Sequence, residues 1–112
     1  MNKKEELVNS IIDNVIKCCC VTRSDGSTSI TREDVLGKSR AENIVMTRCM
    51  VVEQMTHAGF SITTIGMILN RTVQATRHLL KMSGQYYETS RAYRLATSEA
   101  TLLNKDVEPI FV

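Results

Sequence analysis

Residues 61–82 read Ser61-Ile62-Thr63-Thr64-Ile65-Gly66-Met67-Ile68-Leu69-Asn70-Arg71-Thr72-Val73-Gln74-Ala75-Thr76-Arg77-His78-Leu79-Leu80-Lys81-Met82. Two short helices joined by a tight turn, the helix-turn-helix arrangement, account for this pattern. Ser61 caps the first helix, which spans Ile62 to Leu69. Phe60 and Ile65 stand at the positions of a hydrophobic staple that sets how the chain enters it. Ile62, Ile65 and Leu69 form its inward face. Gly66 has no side chain and lets the second helix's backbone come close, while Asn70 tolerates the left-handed conformation of a sharp turn. Thr72 is an N-cap for the second helix, from Val73 to about Met82, with Ser83-Gly84 as its stop. Thr76 and Leu80, four residues apart, pack it back on the first.

The flanks read as further helices. Toward the N-terminus, Gly59 closes a helix from about Ala41 to Ala58 whose buried face is Ile44, Val45, Met50, Val51 and Met55. Ser39 and Glu42 have capping-box spacing, though a start near Asn43 fits equally. Lys38-Ser39-Arg40 is a short basic loop. Before it, Thr31 caps a short helix with Asp34 in its first turn, Val35 and Leu36 facing inward and Gly37 at its end. Leu7, Ile11, Ile12, Val15 and Ile16 make one apolar stripe on a first helix over residues 3–18, and residues 21–29 have loop composition. Toward the C-terminus, a last helix is expected from Tyr86 to Leu103 and an irregular tail from Asn104.

One proline, five glycines and no Asn-Gly pair leave little signal for hairpins. The expected fold class is all-α, a small helical bundle in one domain spanning 1–112. Its core occupies 30–84, with an N-terminal helix and loop at 1–29 and a C-terminal helix and tail at 85–112. At 43% hydrophobic residues the chain can bury a core, and with two Phe, three Tyr and no Trp that core is aliphatic.

Composition also removes functions. No signal-peptide h-region is present, and no apolar run approaches the roughly 20 residues that span a bilayer, so no membrane partner is expected. The expected location is the cytoplasm, at the nucleoid. Cys18, Cys19 and Cys20 are consecutive and Cys49 stands alone, a spacing that suits no disulfide framework. A zinc set would have to draw on Cys18 and Cys20 with Cys49 and His57. Without C-x-x-C or H-x-x-x-H, neither metal nor other cofactor is expected. No catalytic residue is assigned: paired carboxylates and nucleophile motifs are missing, and His57 and His78 lack an acid at a motif spacing.

Charge is unevenly placed. Residues 38–94 carry eight Lys/Arg against three acids, whereas 1–37 and 95–112 are each slightly acidic. The excess surrounds the two-helix segment, where Gln74, His78 and Lys81 lie at i, i+4 and i+7, flanked by Arg71 and Arg77. Such a stripe suits a recognition helix, whose first turns read bases while basic groups meet phosphates. Gln74 suits adenine, Arg77 guanine or phosphate, and Val73 a thymine methyl. Double-stranded DNA is therefore the expected partner, bound without catalysis. The competing expectation is a protein-interaction module that keeps the fold without binding DNA. In it, the N-terminal helix and an Ala92, Ala96, Ala100, Leu103 stripe would support a homodimer.

From about Ile30 to Arg94 the chain resembles the C-terminal DNA-binding domain of the bacterial replication initiator DnaA, a Trp-repressor-like, all-helical fold. The matching pieces are Ile30-Thr31-Arg32-Glu33-Asp34-Val35-Leu36-Gly37-Lys38-Ser39-Arg40, then Ile44-Val45 and Arg48. Ser61-Ile62-Thr63-Thr64-Ile65-Gly66, Leu69-Asn70-Arg71 and His78 follow. The resemblance implies that Lys38 and Arg40 sit in a basic loop reaching phosphates and the minor groove. It also implies that Arg48 and Arg71 match family arginines at the interface, with Thr72 beside them. The family's base-reading His-Thr-Thr is replaced by Val73-Gln74-Ala75, which implies a different DNA target. No G-x-x-x-x-G-K-[ST] occurs, so no nucleotide is expected. The resemblance thus implies a stand-alone divergent relative without ATPase activity, a regulator of replication or transcription or a mobile-element accessory protein.

Overall fold

A computed structural model describes residues 3–19 and 29–104, which form six helices. They are α1 (Lys3–Cys19), α2 (Arg32–Leu36), α3 (Glu42–His57), α4 (Ile62–Leu69), α5 (Val73–Thr89) and α6 (Arg91–Asn104). The described residues contain no strand, in keeping with the all-α expectation. No helix among them is long and apolar enough to cross a membrane. Cys20, most of the 21–29 loop and nearly all of the tail lie outside the described residues.

Helix α3 is the hub and packs against each of the other five. A helix with neighbours on every side is buried around its circumference rather than along one stripe, and its polar residues need partners inside. Thr47, Arg48, Cys49, Met50, Val51, Val52, Gln54 and Met55 are accordingly all buried. The sequence-predicted face is thus too narrow, because Cys49 and Val52 also belong to the core, while Ile44 and Val45 are only partly buried. The Ser39–Glu42 capping box does not form. Ala41 is the N-cap without a side-chain bond, and Ser39 Oγ accepts from the Ala41 N–H at 3.3 Å.

Helix α1 buries the predicted stripe of Leu7, Ile11, Ile12, Val15 and Ile16 against α3 and α6. An amide chain locks these three helices in register. Asn14 Nδ2 donates to Asn104 Oδ1 (2.8 Å) and Asn104 Nδ2 to Gln54 Oε1 (2.9 Å). Gln54 Nε2 then donates to Thr101 Oγ1 at 3.1 Å. Satisfied partly buried networks of this kind specify one packing, since any slip leaves polar groups unpaired. Asn104, expected in the tail, is therefore the last helical residue and part of that network.

Helix α2 opens with a full capping box: Thr31 Oγ1 accepts from the Asp34 N–H, and Asp34 accepts from the Thr31 N–H. Val35 is buried as expected, but Leu36 is 38% exposed, because a five-residue helix has room for one inward residue.

The largest departure is in α5. It does not end at Ser83-Gly84 but continues to Thr89, and α6 begins at Arg91 rather than Tyr86. Glycine inside a helix costs about 1 kcal/mol, and burial of Leu79 and Ser83 outweighs it. Thr76, Leu79 and Ser83 form the buried line, while Leu80 is only partly covered. The break falls at Ser90, whose Oγ accepts from the Tyr93 N–H at 3.1 Å. Tyr86 and Tyr93 pack across this corner with ring centroids 5.5 Å apart.

Candidate nucleic-acid interface

The turn between α4 and α5 is built as its residue types require. Ser61 accepts from the Thr64 N–H, and Thr72 accepts from the Ala75 N–H, so both helices are capped by their own hydroxyls. Asn70 sits at φ 54°, ψ 50°, the left-handed conformation that ends α4. A Cβ on Gly66 would lie 2.9 Å from the Arg71 carbonyl oxygen and 3.0 Å from Thr76 Oγ1, so the residues following the turn cross directly over this glycine. The Arg71 N–H donates to the Gly66 carbonyl at 2.8 Å and closes the turn. Phe60 and Ile65, the proposed staple pair, are both buried in the core.

A second feature of this region is not local. Arg48, on α3, is 4% exposed and its guanidinium is surrounded by carbonyl oxygens. Nε donates to Val35 (2.8 Å), Nη1 to Ser39 (3.1 Å), and Nη2 to Asp34 (3.1 Å) and Gly37 (3.2 Å). Those of Val35, Gly37 and Ser39 are carbonyls that the end of α2 and the following loop leave without helical partners, while that of Asp34 also accepts from the Gly37 N–H at 3.3 Å. Arg71 approaches the same place from the α4–α5 turn. Its Nη1 donates to the Leu69 carbonyl (2.7 Å), and its Nη2 to Gly37. Two arginines thus share the Gly37 carbonyl and tie the Lys38-Ser39-Arg40 loop to the turn before α5. Burial, and secondly the neighbouring Arg71 charge, lower the Arg48 pKa from its ordinary value.

The predicted binding residues therefore fall into two groups. Arg48 is not at the surface, and its donors are spent on backbone, so it positions the loop and is not available to a ligand. The expectation that it contacts DNA is corrected on that ground. Arg71 is half-buried and committed in the same way. Thr72 is exposed, but its hydroxyl serves as the cap, and Val73 is half-buried. Lys38 and Arg40 are exposed on the braced loop, and Gln74, Arg77, His78 and Lys81 are exposed along α5. Among the described residues none of these six side chains has a hydrogen-bond or ion-pair partner. Comparison with protein-family models, with curated proteins and with solved structures finds no match to this chain.

Sequence reasoning missed a polar node on the far side of α5. Ser83 Oγ donates to Glu53 Oε2 (2.5 Å) and lies 2.6 Å from the Tyr93 hydroxyl, which donates to it because the serine proton is already used. Burial raises the Tyr93 pKa, against a lowering contribution from Ser83, so the phenol stays protonated. Ser83 looks like a helix terminus beside Gly84. Its spacing from Thr76 and Leu79 was the available signal for an inward face. His57, four residues after Glu53, is exposed with Nε2 4.0 Å from Glu53 Oε1. Of the dimer faces suggested by the sequence, the α1 stripe is buried within the chain, and the α6 stripe is divided: Ala100 is buried and Ala96 packs on the core, while Ala92 and Leu103 are exposed.

Proposed function

We propose that this protein binds double-stranded DNA without catalysing a reaction, α4 and α5 acting as a helix-turn-helix and the first turns of α5 entering the major groove. The observation that carries this reading is the combination of an unpaired polar stripe, Gln74, Arg77, His78 and Lys81, with a basic loop braced beside the turn that launches it. A surface for an extended polyanion needs cations at several separated points and in fixed relation, because phosphate contacts set register while base contacts specify. Lys38 and Arg40 supply the second point. On this reading the protein is a divergent, stand-alone relative of the initiator's C-terminal domain, with a Trp-repressor-like arrangement of helices. It works in the cytoplasm at the nucleoid as a replication or transcription regulator or a mobile-element accessory protein.

The test is fluorescence anisotropy with random duplex DNA at about 50 and 200 mM salt, where each phosphate contact lowers affinity as salt rises. The expected outcome is binding at low salt that falls steeply at the higher salt. Absence of binding by the folded protein at the lower salt would falsify the proposal.

The second reading, self-association or docking of a protein, rests on α6. Leu95, Leu102 and Leu103 are 59%, 61% and 43% exposed. Leu95 and Leu102 are a heptad apart on one helix face. A concentration-dependent sedimentation coefficient, abolished by Leu95→Gln with Leu102→Gln, would favour it. A homodimer formed this way is compatible with DNA binding.

A further inference from the structure

The run of cysteines has no part in the proposed DNA surface, and its described members lie elsewhere. Cys18 and Cys19, at the end of α1, line a pocket of about 190 Å³ together with Met46, Met50 and Ala96. Two thiols and two thioethers thus share one small, mostly apolar space between α1, α3 and α6, whose wall also includes Asn43, Thr47 and Tyr93. Cys19 Sγ donates to Met50 Sδ at 3.5 Å, so two of the four sulfur atoms already meet across the helix interface. Among the described residues no three His, Cys, Asp or Glu side chains gather in a metal-binding group. A hard or borderline ion that needs several nitrogen or oxygen donors therefore has little to hold it here. The Thr47 and Tyr93 hydroxyls are already engaged with the Asn43 carbonyl and Ser83, and the four sulfur atoms, neutral thioethers included, suit a soft monovalent ion, which accepts few ligands and tolerates an apolar wall.

We propose that Cys19 and Met50 bind a single soft monovalent metal ion, Cu(I) by chemistry, with Cys18 and Met46 as further sulfur donors. At metal–sulfur bonds of about 2.3 Å, donors in trigonal or tetrahedral arrangement stand roughly 3.8–4.0 Å apart. The 3.5 Å separation has to open by only a few tenths of an ångström. Binding forms a Cu–S bond at Cys19 and releases the thiol proton to solvent, while the Met50 thioether donates a lone pair and loses nothing. The ion keeps its charge state throughout. Cys49 takes no part: it is fully buried and does not line the pocket. The bound ion joins α1 to α3 and stabilises the fold by mass action, since the two donors come together only in the folded chain.

The experiment is an anaerobic titration of the reduced full-length protein with Cu(I) against a chromogenic Cu(I) chelator. One ion per chain, a sulfur-to-copper absorption band and a raised Tm are expected. Met50→Leu leaves every thiol in place and conserves core volume. It is expected to weaken binding more than tenfold, as is Cys19→Ser, whereas Met67→Leu on the exposed face of α4 leaves the affinity unchanged. If Met50→Leu binds as tightly as the wild type, the thiol run alone captures copper and the proposed site is overturned. Failure of the wild type to compete with the chelator overturns it equally. Circular dichroism of each variant shows that it is folded.

Discussion

The two sets of cations in this molecule have the same chemistry and opposite employment. Arg48 and Arg71 face inward, and their guanidinium groups donate to main-chain oxygens. Arg77 and Lys81, together with Lys38 and Arg40, face outward and spend nothing on the protein. The difference lies in the neighbouring carbonyls. Where α2 ends and the loop to α3 begins, several oxygens lack helical partners, and a guanidinium with five donors in one plane can serve them together. Along α5 the backbone is satisfied by the helix itself, so the cations there have only solvent or a ligand to meet. Charge excess in a segment thus overstates the charge free for binding, because part of it belongs to the architecture.

Several substitutions would break or sharpen that contrast. The largest effect is expected from Arg48→Ala, which removes the donor of the Val35 and Ser39 oxygens and one of the two donors of the Asp34 and Gly37 oxygens. A loss on the order of 3 kcal/mol in urea unfolding is expected, since two buried carbonyls, those of Val35 and Ser39, lose their donor and the loop loses its central tie. A loss below about 1 kcal/mol would mean that Arg48 is as dispensable as a surface cation.

Gly66→Ala is next. Its methyl would press on the Arg71 carbonyl and Thr76, and about 2 kcal/mol should be lost, seen as a lower Tm. Unchanged stability would show that the turn can move away from α4 freely and that the brace through Arg71 is loose.

Arg77→Ala with Lys81→Ala is the reverse case. Unfolding free energy should stay within about 0.5 kcal/mol of wild type. The dependence of DNA affinity on salt should become shallower by about two phosphate contacts. Full retention of the salt slope would place the DNA, if bound, on another face.

The smallest effect on DNA affinity is expected at Gly84, where a Cβ meets nothing within 4 Å. Gly84→Ala should stabilise α5 by about 1 kcal/mol through helix propensity alone, with DNA affinity unchanged. A destabilised variant would mean that α5 needs flexibility at this point after all.

Much of the fold was legible because the relevant forces are local. Thr31 with Asp34, Ser61, Asn70 and Thr72 act on backbone groups within four residues, so their residue types announce their positions. The α1 stripe was equally plain, since a helix covered on one side shows a 3.6-residue period. The end of α5 was not. Ser83-Gly84 has the local marks of a stop, and only the packing of Ser83 against Glu53 and Tyr93 overrides them.

The candidate surface divides in the same way. That Gln74, Arg77, His78 and Lys81 share the outside of α5 follows from helical spacing and was determined by the sequence alone. That Arg48 is withdrawn from the surface was foreshadowed only by its apolar setting between Met46 and Met50. Which carbonyls it serves, and that Arg71 joins it at Gly37 across 34 residues of chain, was decided by the tertiary structure. Caps and stripes depend on a residue's neighbours in sequence. A guanidinium's partners depend on which unpaired oxygens folding brings within about 3 Å of it, and no local rule carries that information.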